Sequence, residues 1–277
     1  MTDQLYFING KILKASEAKL NINDLAILRG YGIFDFFRTS GGKPYLMEHY
    51  LDRFMHSAGL MDLAVPYSKS EIETIVRDLV RKNGLPESGI RMILTGGYSA
   101  DGYSTGTPNY MILIESISYP DKEYYQKGIR LVSYDHLREW SEIKSINYLT
   151  PIKIKKEIAG RNGYDVLYHH NGLFLEVSRS NFFIIRDGVL ITPGRNVLHG
   201  ITRKTVIEIS AEVIKIEERD IPMDELRLAD EAFITGTTKR ILPVRAVEDF
   251  EFKNGAPGPF TARLMKLYDE FEKCYTT

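Results

Sequence analysis

The sequence predicts an α+β fold in two domains. The chain has 277 residues, of which 43% are hydrophobic and 26% charged, as in ordinary globular proteins that are long enough for two compact units. Short strand patterns dominate the first part of the chain, and strand and helix patterns mix after about residue 120. We therefore expect an N-terminal domain over residues 1–118, a linker over 119–123 and a C-terminal domain over 124–277.

The N-terminal domain begins with a predicted hairpin. Asn9-Gly10 stands between the strand candidates Tyr6-Phe7-Ile8 and Lys11-Ile12-Leu13, and this dipeptide is the strongest short hairpin signal. Helical spacing over residues 49–60 places its apolar side chains on one face. The remaining predicted elements are a helix capped by Ser70 and ending at Asn83-Gly84, strands at 33–38, 91–94 and 110–117, and a long glycine-rich connection between the last two strands.

The C-terminal domain is predicted to mix strands with two helices. The first helix lies near residues 151–159, with Thr150 as its N-cap or with a start one turn earlier. The second is amphipathic and runs from 202 to 216. The predicted strands are 128–134, 165–169, 174–177, 181–186, 189–192 and 231–235.

Composition and charge argue against several classes of function. The formal net charge is −1, so no overall field attracts nucleic acid or an anionic membrane. No apolar run approaches the ~20 residues that a membrane span needs, and the start lacks the pattern of a secretory signal. The single cysteine, Cys274, fits a reducing cytoplasm. The adjacent His169 and His170 face opposite sides of a strand, and no metal site is expected.

One lysine differs from its neighbours in its sequence context. Lys144 stands between Ile143 and Ser145, whereas Lys153, Lys155 and Lys156 share one charged helical run. An apolar context can bury the stem of a lysine, and an amine reacts as a nucleophile only when it is unprotonated. From this spacing alone, a partly exposed lysine without a function is the commoner outcome.

Three other segments could form a binding site for a phosphorylated group. Gly200 opens an amphipathic helix, whose free amides together with the Thr202 hydroxyl could bind an anion. Thr237 and Thr238 follow a strand in a second turn rich in hydroxyl groups, which could also be an ordinary polar turn. Glu176 lies inside an apolar strand and needs a positive partner if it faces inward.

A lysine, an inward-facing acid and two anion-binding turns are the parts that a pyridoxal 5′-phosphate site requires. The lysine would bind the aldehyde carbon, and the acid would keep the pyridine nitrogen protonated so that the ring can accept electrons. The two turns would hold the phosphate. This combination is the first specific indication of function in the sequence.

The motifs of the chain resemble one enzyme family over essentially its whole length. In order they are GYGIFDFFR, HYLDRF, IKSINYL, LEVSRSNFFIIRDGVLITP, LHGITR and AFITGTTKRILPV. They resemble the class IV, or fold type IV, pyridoxal-phosphate aminotransferases, which include D-amino acid and branched-chain aminotransferases and aminodeoxychorismate lyases. The resemblance implies a smaller N-terminal α/β domain, a larger C-terminal pseudo-barrel domain, and a homodimer in which the partner chain completes the substrate pocket.

The resemblance also implies roles for single residues. Lys144 would be the catalytic Schiff-base lysine that shuttles a proton between the substrate α-carbon and the cofactor, and Glu176 would pair with the pyridine nitrogen. The remaining cofactor contacts would come from Arg53, Ile201, Thr202, Thr237 and Thr238 at the phosphate, Tyr148 near the phenolic oxygen, and Ser180 and Asn181 in support of the ring.

The substrate-binding motifs depart from the best-known members. D-amino acid aminotransferases of the familiar type carry an R-x-H pair where this chain has Gly96 and Tyr98. Two arginines, Arg29 and Arg91, could instead hold the substrate carboxylate, since a guanidinium binds a carboxylate with two hydrogen bonds. Each could equally be a surface ion pair. The other candidates for substrate contacts are Tyr31, Phe34 and Thr238.

These features favour a non-standard D-amino acid transaminase, which would use D-alanine or D-glutamate with 2-oxoglutarate or pyruvate. The nearest alternative is a branched-chain L-amino acid transaminase with an apolar pocket formed by Phe34, Phe36 and Tyr31. However, Arg29 replaces the tyrosine that branched-chain enzymes usually carry there. An aminodeoxychorismate lyase is less favoured, because the N-Y-L motif is typical of transamination. A cofactor-binding protein without turnover is disfavoured, because all the expected cofactor residues are present.

Overall fold

The computed structural model describes residues 4–85 and 87–276 and divides into two compact units. The first contains residues 4–85 and 87–118 together with the lysine segment Ile143–Asn147. The second contains Tyr119–Glu142 and Tyr148–Tyr275. The lysine segment was expected in the C-terminal domain, but its backbone hydrogen bonds attach it to the first unit.

The first unit is built on a six-stranded sheet with the strand order β2-β1-β6-β5-β3-β4. The predicted hairpin is confirmed, because β1 and β2 pair in antiparallel fashion around Asn9 and Gly10, whose φ angles are 46° and 87°. The long pairing of β3 with β5 and of β5 with β6 forms the centre of the sheet. The strands are β1 (Leu5–Ile8), β2 (Lys11–Lys14), β3 (Gly32–Ser40), β4 (Lys43–Pro44), β5 (Gly89–Thr95) and β6 (Tyr110–Glu115).

Within its described residues the first unit has three helices, which are α1 (Leu25–Arg29), α2 (Met47–Leu60) and α3 (Lys69–Asn83). The buried residues of α2 include Tyr50, Leu51 and Phe54, as its spacing predicts. The prediction that Ser70 caps α3 is wrong, because the N-cap is Ser68. The Ser68 side chain accepts from the Glu71 amide and the Glu71 side chain accepts from the Ser68 amide, which makes a capping box.

The second unit is built on a ten-stranded sheet of mixed direction. Its strand order is β12-β11-β10-β14-β15-β7-β8-β9-β13, with β16 paired to β15. The strands are β7 (Ile129–Asp135), β8 (Asp165–His170), β9 (Leu173–Val177), β10 (Asn181–Arg186), β11 (Val189–Thr192), β12 (Lys215–Glu218), β13 (Ile221–Pro222), β14 (Glu231–Gly236), β15 (Arg240–Val247) and β16 (Phe250–Glu251).

Both faces of the second sheet are covered where β10 runs through it. Phe182 and Ile184 belong to one apolar cluster, while Phe183 and Ile185 belong to another that includes side chains of the helices. Successive side chains of a strand point to opposite faces, so a strand buried on both sides reads as a continuous apolar run. The run NFFIIR has this pattern.

The helices of the second unit are shorter than their sequence patterns predict. The helix expected at 202–216 ends at Ser210, because Ile216 pairs with Leu190 between β12 and β11. The helix expected near 151–159 is two helices, the first of which starts at Leu149, so Thr150 is not its N-cap. The helices are α4 (Lys122–Lys127), α5 (Leu149–Lys153), α6 (Lys155–Gly160), α7 (Ile201–Ser210) and α8 (Pro259–Thr276), with a 3₁₀ helix at Met223–Leu228.

The connection expected over residues 119–123 is only partly irregular, because α4 begins at Lys122. Among the helices of the described chain, none combines the length and the apolar character that crossing a membrane requires.

Candidate active site

The lysine segment is fastened to strand β3 of the first unit by its backbone. The Phe34 amide donates to the Lys144 carbonyl oxygen at 2.9 Å, and the Ile146 amide donates to the Gly32 carbonyl oxygen at 3.1 Å. The Lys144 amide donates to the Ser57 hydroxyl of α2 at 3.3 Å. The position of the Lys144 backbone is therefore set by the first sheet and by α2.

The side chain of Lys144 lies against an aromatic ring. Its Nζ is 4.7 Å from the centroid of the Phe34 ring, within the range of a cation–π contact. Lys144 is half-buried, whereas Lys153, Lys155 and Lys156 are exposed. The difference in sequence context between these lysines thus corresponds to a difference in environment.

Phe34 also contacts Arg91. The Arg91 Cζ atom is 5.4 Å from the centroid of the Phe34 ring and 5.0 Å from that of Phe36. Its Nε and Nη2 atoms donate to the two carboxylate oxygens of Glu115, at 2.5 and 2.9 Å. The structure therefore brings Lys144 and Arg91 to the same ring, but Glu115 already occupies two guanidinium donors of Arg91.

The other predicted substrate residues of the first unit lie at the end of α1 and just after it. Arg29 is exposed, and its Nη1 atom donates to the Leu28 carbonyl oxygen at 2.9 Å. The Tyr31 hydroxyl donates to the Met61 carbonyl oxygen at 2.6 Å. Burial raises the pKa of this hydroxyl, with a smaller contribution from a nearby aspartate. Tyr31 is therefore a neutral hydrogen-bond donor at neutral pH.

Arg53 is held by a buried acid of the first sheet. Its Nε and Nη2 atoms donate to the Asp35 carboxylate at 2.9 and 2.6 Å, and the Asp35 side chain is fully buried. Two parallel hydrogen bonds fix the plane of a guanidinium as well as its position. Arg53 on α2 is consequently a rigid cationic group.

The acid in strand β9 of the second unit faces inward, as predicted, and has a positive partner. Glu176 is 5% exposed. One carboxylate oxygen accepts from Arg138 Nε at 2.7 Å, and the other accepts from the Leu198 amide at 3.0 Å. Arg138 also donates to the Ser141 carbonyl oxygen at 2.5 Å. These bonds hold the Glu176 carboxylate in one orientation.

The first predicted anion-binding turn lies at the N-terminus of α7. Gly200 is the N-cap and offers no side chain to the first amides of the helix, which begin at Ile201. The Asn181 side chain donates to the Leu198 carbonyl oxygen at 2.6 Å. A Cβ at Gly200 would lie 2.1 Å from Asn181 Oδ1, so a larger residue there would displace the Asn181 side chain. Asn181 therefore positions the turn whose amides, with the buried Thr202, can bind an anion.

The second predicted turn joins β14 to β15. Thr237 and Thr238 are half-buried and lie between Gly236 and Lys239. A Cβ at Gly236 would lie 3.3 Å from the Ser180 hydroxyl oxygen, which places Ser180 beside the start of the turn. The structure thus brings Ser180 together with the hydroxyl-rich turn. Tyr148, the N-cap of α5, is half-buried in the same unit.

Most of the chain matches the sequence profile of one known protein family. The profile of the family described as amino-transferase class IV matches residues 32–247. The chain belongs to the class IV aminotransferase family. It is an enzyme that transfers amino groups, and its two-domain α+β fold is that of fold type IV.

The curated relatives of this class IV aminotransferase include enzymes named D-alanine aminotransferase. The one from Staphylococcus haemolyticus is 30% identical over 274 residues, which cover 96% of each chain. The one from Listeria monocytogenes (strain 10403S) is 27% identical over 278 residues, which cover 95% of this chain and 94% of the relative.

The similar solved structures include branched-chain amino acid aminotransferases. The Escherichia coli enzyme superposes with a TM-score of 0.91 at 25% identity, over 100% of this chain and 97% of the other. The enzyme from the archaeon Thermoproteus uzoniensis, solved with norvaline, superposes with a TM-score of 0.87 at 26% identity, over 98% and 95% of the two chains. A further branched-chain enzyme, solved with pyridoxamine 5′-phosphate, has a TM-score of 0.89 at 26% identity, over 99% and 96% of the two chains. Class IV aminotransferases depend on pyridoxal 5′-phosphate.

The residues of this class IV aminotransferase fit such a cofactor. A buried acid without a partner would be costly, but Glu176 is held by a guanidinium and an amide. The α7 N-terminus has no side-chain cap, and the buried Thr235 hydroxyl beside the second turn has no hydrogen-bond partner within the described residues. These groups suit a pyridine nitrogen and a phosphate.

Two residues that contact candidate-site side chains were not predicted from the sequence. Arg138 contacts Glu176 across 38 positions of sequence, and no local pattern connects the two. Lys239 immediately follows the predicted threonine pair and is 6% exposed, but it was interpreted only as part of the turn motif. For Lys239, its position directly after the predicted phosphate-binding turn was the sequence feature that could have indicated a role in the site.

Proposed function

We propose that this class IV aminotransferase uses pyridoxal 5′-phosphate to transfer an amino group from a D-amino acid, such as D-alanine or D-glutamate, to 2-oxoglutarate or pyruvate. The observation that carries the cofactor assignment is the inward-facing Glu176 with its two hydrogen bonds. The D-alanine aminotransferases among the relatives support the choice of enantiomer.

Lys144 and Glu176 have the central roles in this proposal. Bound pyridoxal 5′-phosphate supplies a conjugated ring that accepts the electrons released at the substrate α-carbon. Lys144 Nζ would hold the cofactor covalently and later carry a proton between that carbon and the cofactor. The Glu176 carboxyl group, oriented by Arg138 and the Leu198 amide, would pair with the pyridine nitrogen and keep it protonated.

The remaining residues of the proposed site would bind and orient the cofactor. The phosphate is a dianion, which an arginine and amides at a helix N-terminus stabilise. The proposed phosphate ligands are Arg53, Ile201, Thr202, Thr237 and Thr238, and the proposed ring contacts are Tyr148, Ser180 and Asn181.

Arg91 and Arg29 are the proposed carboxylate ligands of the substrate, with Tyr31, Phe34 and Thr238 as further contacts. The contact of Arg91 with the ring that Lys144 also contacts supports this choice. A substrate carboxylate would take the remaining Nη1 of Arg91 or displace Glu115 from the guanidinium.

A branched-chain L-amino acid transaminase is the second candidate. It is favoured by the solved branched-chain enzymes, which superpose on the whole chain, and by the aromatic side chains around Arg91. Exposing the cofactor-loaded enzyme to D- and L-amino acids in separate half-reactions distinguishes the two. Conversion by L-leucine and L-valine but not by D-alanine or D-glutamate would overturn the D-amino acid assignment.

The cofactor assignment is tested by the absorbance spectrum. We expect visible absorbance from pyridoxal 5′-phosphate bound to Lys144, which the Lys144→Ala variant loses. The Lys155→Ala variant is the matched control, because Lys155 is exposed. The proposal is wrong if Lys144→Ala keeps the visible band.

The carboxylate ligands are tested by Arg29→Ala and Arg91→Ala, assayed with D-alanine and D-glutamate. Each lost guanidinium–carboxylate contact should lower kcat/KM by about tenfold or more, because hydrogen bonds to charged groups contribute about 1.5–3 kcal/mol. Arg81→Ala is the control, since the Arg81 side chain is 79% exposed. Unchanged kcat/KM in both variants would exclude these arginines.

We also propose a homodimer in a reducing compartment, as the family resemblance and the single cysteine suggest. Each unit exposes large apolar side chains of the kind that interfaces cover. In the first unit these include Ile22, Ile27 and Tyr103, at 78%, 58% and 83% exposure, and in the second Trp140, Leu149 and Ile152, at 73%, 72% and 71%. Sedimentation equilibrium at micromolar concentration tests the homodimer, and a monomeric mass would refute it.

A further inference from the structure

Lys239 is a buried lysine to which the proposed function assigns no role. It ends the turn that contains Thr237 and Thr238, and its side chain is 8% exposed. Lysine is almost never fully buried unless its ammonium group is paired. The partners of Lys239 therefore indicate why a charge is placed behind this turn.

The ammonium group of Lys239 lies between a hydroxyl and a carboxylate. Its Nζ donates to the Ser180 hydroxyl oxygen at 2.9 Å and is 3.8 Å from Asp165 Oδ2. The other oxygen of Asp165 accepts from the Ser178 hydroxyl at 2.6 Å and the Val166 amide at 2.9 Å. Asp165 is thus anchored on strand β8 and holds the lysine through charge.

The contact with Lys239 fixes the direction of the hydrogen bond at Ser180. An ammonium group has only donors, so the Ser180 oxygen must accept from it. The single proton of the Ser180 hydroxyl then remains for another acceptor. Since Ser180 lies beside Gly236, where the hydroxyl-rich turn begins, that proton is available to an anion bound at the turn.

We propose that Lys239 is a positioning residue for the cofactor phosphate, which orients the Ser180 hydroxyl as a donor and places a positive charge behind the Thr237–Thr238 turn. Ser180 would then donate to the phosphate in place of the ring contact assigned to it above. This inference rests on the proposed function, because it assumes that the turn binds the phosphate. It adds a residue that acts through Ser180 and does not itself contact the cofactor.

Because Lys239 ionises, the affinity for the cofactor phosphate should depend on pH. Burial lowers the pKa of this lysine to about 8, while Asp165 on β8 opposes the shift and Arg179, which precedes Ser180, adds to it. Above this pKa the neutral amine can accept the Ser180 proton, which reverses the hydrogen bond. A bound phosphate favours the charged amine, so cofactor affinity should fall as the pH rises through this pKa.

The test compares two forms of the cofactor that differ only in the phosphate. The apoprotein and its Lys239→Met variant are titrated with pyridoxal 5′-phosphate and with pyridoxal, and binding is followed by absorbance. We expect the dissociation constant for pyridoxal 5′-phosphate to rise about tenfold or more in the variant, the size expected for a lost hydrogen bond involving a charged group. The value for pyridoxal should stay unchanged.

Two further variants keep the test decisive. Lys266→Met is the matched control, because the Lys266 side chain is 80% exposed. The double variant Asp165→Asn/Lys239→Met removes both charges of the buried pair, and it replaces the single variant if the unpaired Asp165 prevents folding. It should show the same selective loss of affinity for the phosphorylated form.

Titrations at one pH unit below and one above the lysine's pKa complete the test. Wild type should lose affinity for pyridoxal 5′-phosphate relative to Lys239→Met as the pH rises. Equal losses for both forms of the cofactor would assign Lys239 a merely structural role, and unchanged affinity for both would overturn the inference outright. If wild type itself does not bind pyridoxal 5′-phosphate, the proposed function fails instead.

Discussion

Replacing Arg138 by methionine should destabilise the second unit through Glu176. Arg138 Nε donates to the Glu176 carboxylate at 2.7 Å, and the two side chains are 17% and 7% exposed. Removing one partner of a buried ion pair costs about 3–5 kcal/mol, because the other charge remains desolvated. We expect Arg138→Met to lower the free energy of unfolding by about 3 kcal/mol, which is the lower end of this range, because the Leu198 amide still donates to Glu176.

A double-mutant cycle in the apoprotein separates the effect of losing the Arg138–Glu176 pair from the other effects of replacing Arg138. In a Glu176→Gln background the same Arg138→Met replacement leaves no buried charge behind and should cost only about 1 kcal/mol. Urea unfolding followed by circular dichroism gives the four free energies of unfolding. Arg195→Met serves as the control, since Arg195 forms an exposed ion pair with Asp220 and its loss should leave the midpoint unchanged.

This reasoning would be refuted if Arg138→Met lowered the free energy of unfolding equally in the wild-type and the Glu176→Gln backgrounds. Arg138 would then stabilise the fold through its own packing or its bond to Ser141 and would not act through Glu176. The same variants also bear on the cofactor. If Arg138 orients the Glu176 carboxyl group for the pyridine nitrogen, Arg138→Met should weaken the affinity for pyridoxal 5′-phosphate even where the protein is folded.

Two further predictions concern the first unit. Asp24 is fully buried and accepts three hydrogen bonds, so Asp24→Ala should cost about 3 kcal/mol of unfolding free energy in urea titrations, and a loss below about 1 kcal/mol would contradict this. A Cβ at Gly32 would lie 2.8 Å from the Leu94 carbonyl oxygen, so Gly32→Ala should disturb the strand that holds Lys144 and slow cofactor attachment measured by absorbance. Gly59→Ala, which meets no atom within 4 Å, should instead stabilise the protein by about 0.5–1 kcal/mol, and similar behaviour of the two variants would refute the steric argument.

Local patterns predicted the elements whose signals are short-ranged. The Asn9-Gly10 hairpin and the apolar face of α2 depend on residues close in sequence, and both are confirmed. The end of α7 was misplaced because Ile216 has helical spacing but pairs with Leu190 in a parallel ladder. Long-range pairing of this kind overrides periodicity and cannot be read from a window of sequence.

The candidate-site residues that the sequence suggested are those that belong to contiguous motifs. Lys144, Glu176 and the two turns each lie in such a motif. Arg138 was missed because it lies in the irregular segment after β7 and its partner Glu176 lies on β9, 38 positions away. The bidentate pairing of Arg91 with Glu115 was not foreseen because it crosses between β5 and β6. Side-chain partners across a sheet depend on register, which the sequence specifies only through the complete fold.

The attachment of the lysine segment to β3 also limits how the chain can be dissected. The chain leaves the first unit after Ser118 and returns to it for Ile143–Asn147. A fragment truncated at Ser118 would expose the backbone groups of Gly32 and Phe34 that bond this segment. Transplanting either unit into a chimaeric enzyme therefore requires two grafted pieces of sequence, and a split at a single junction would separate Lys144 from the strand to which its backbone bonds.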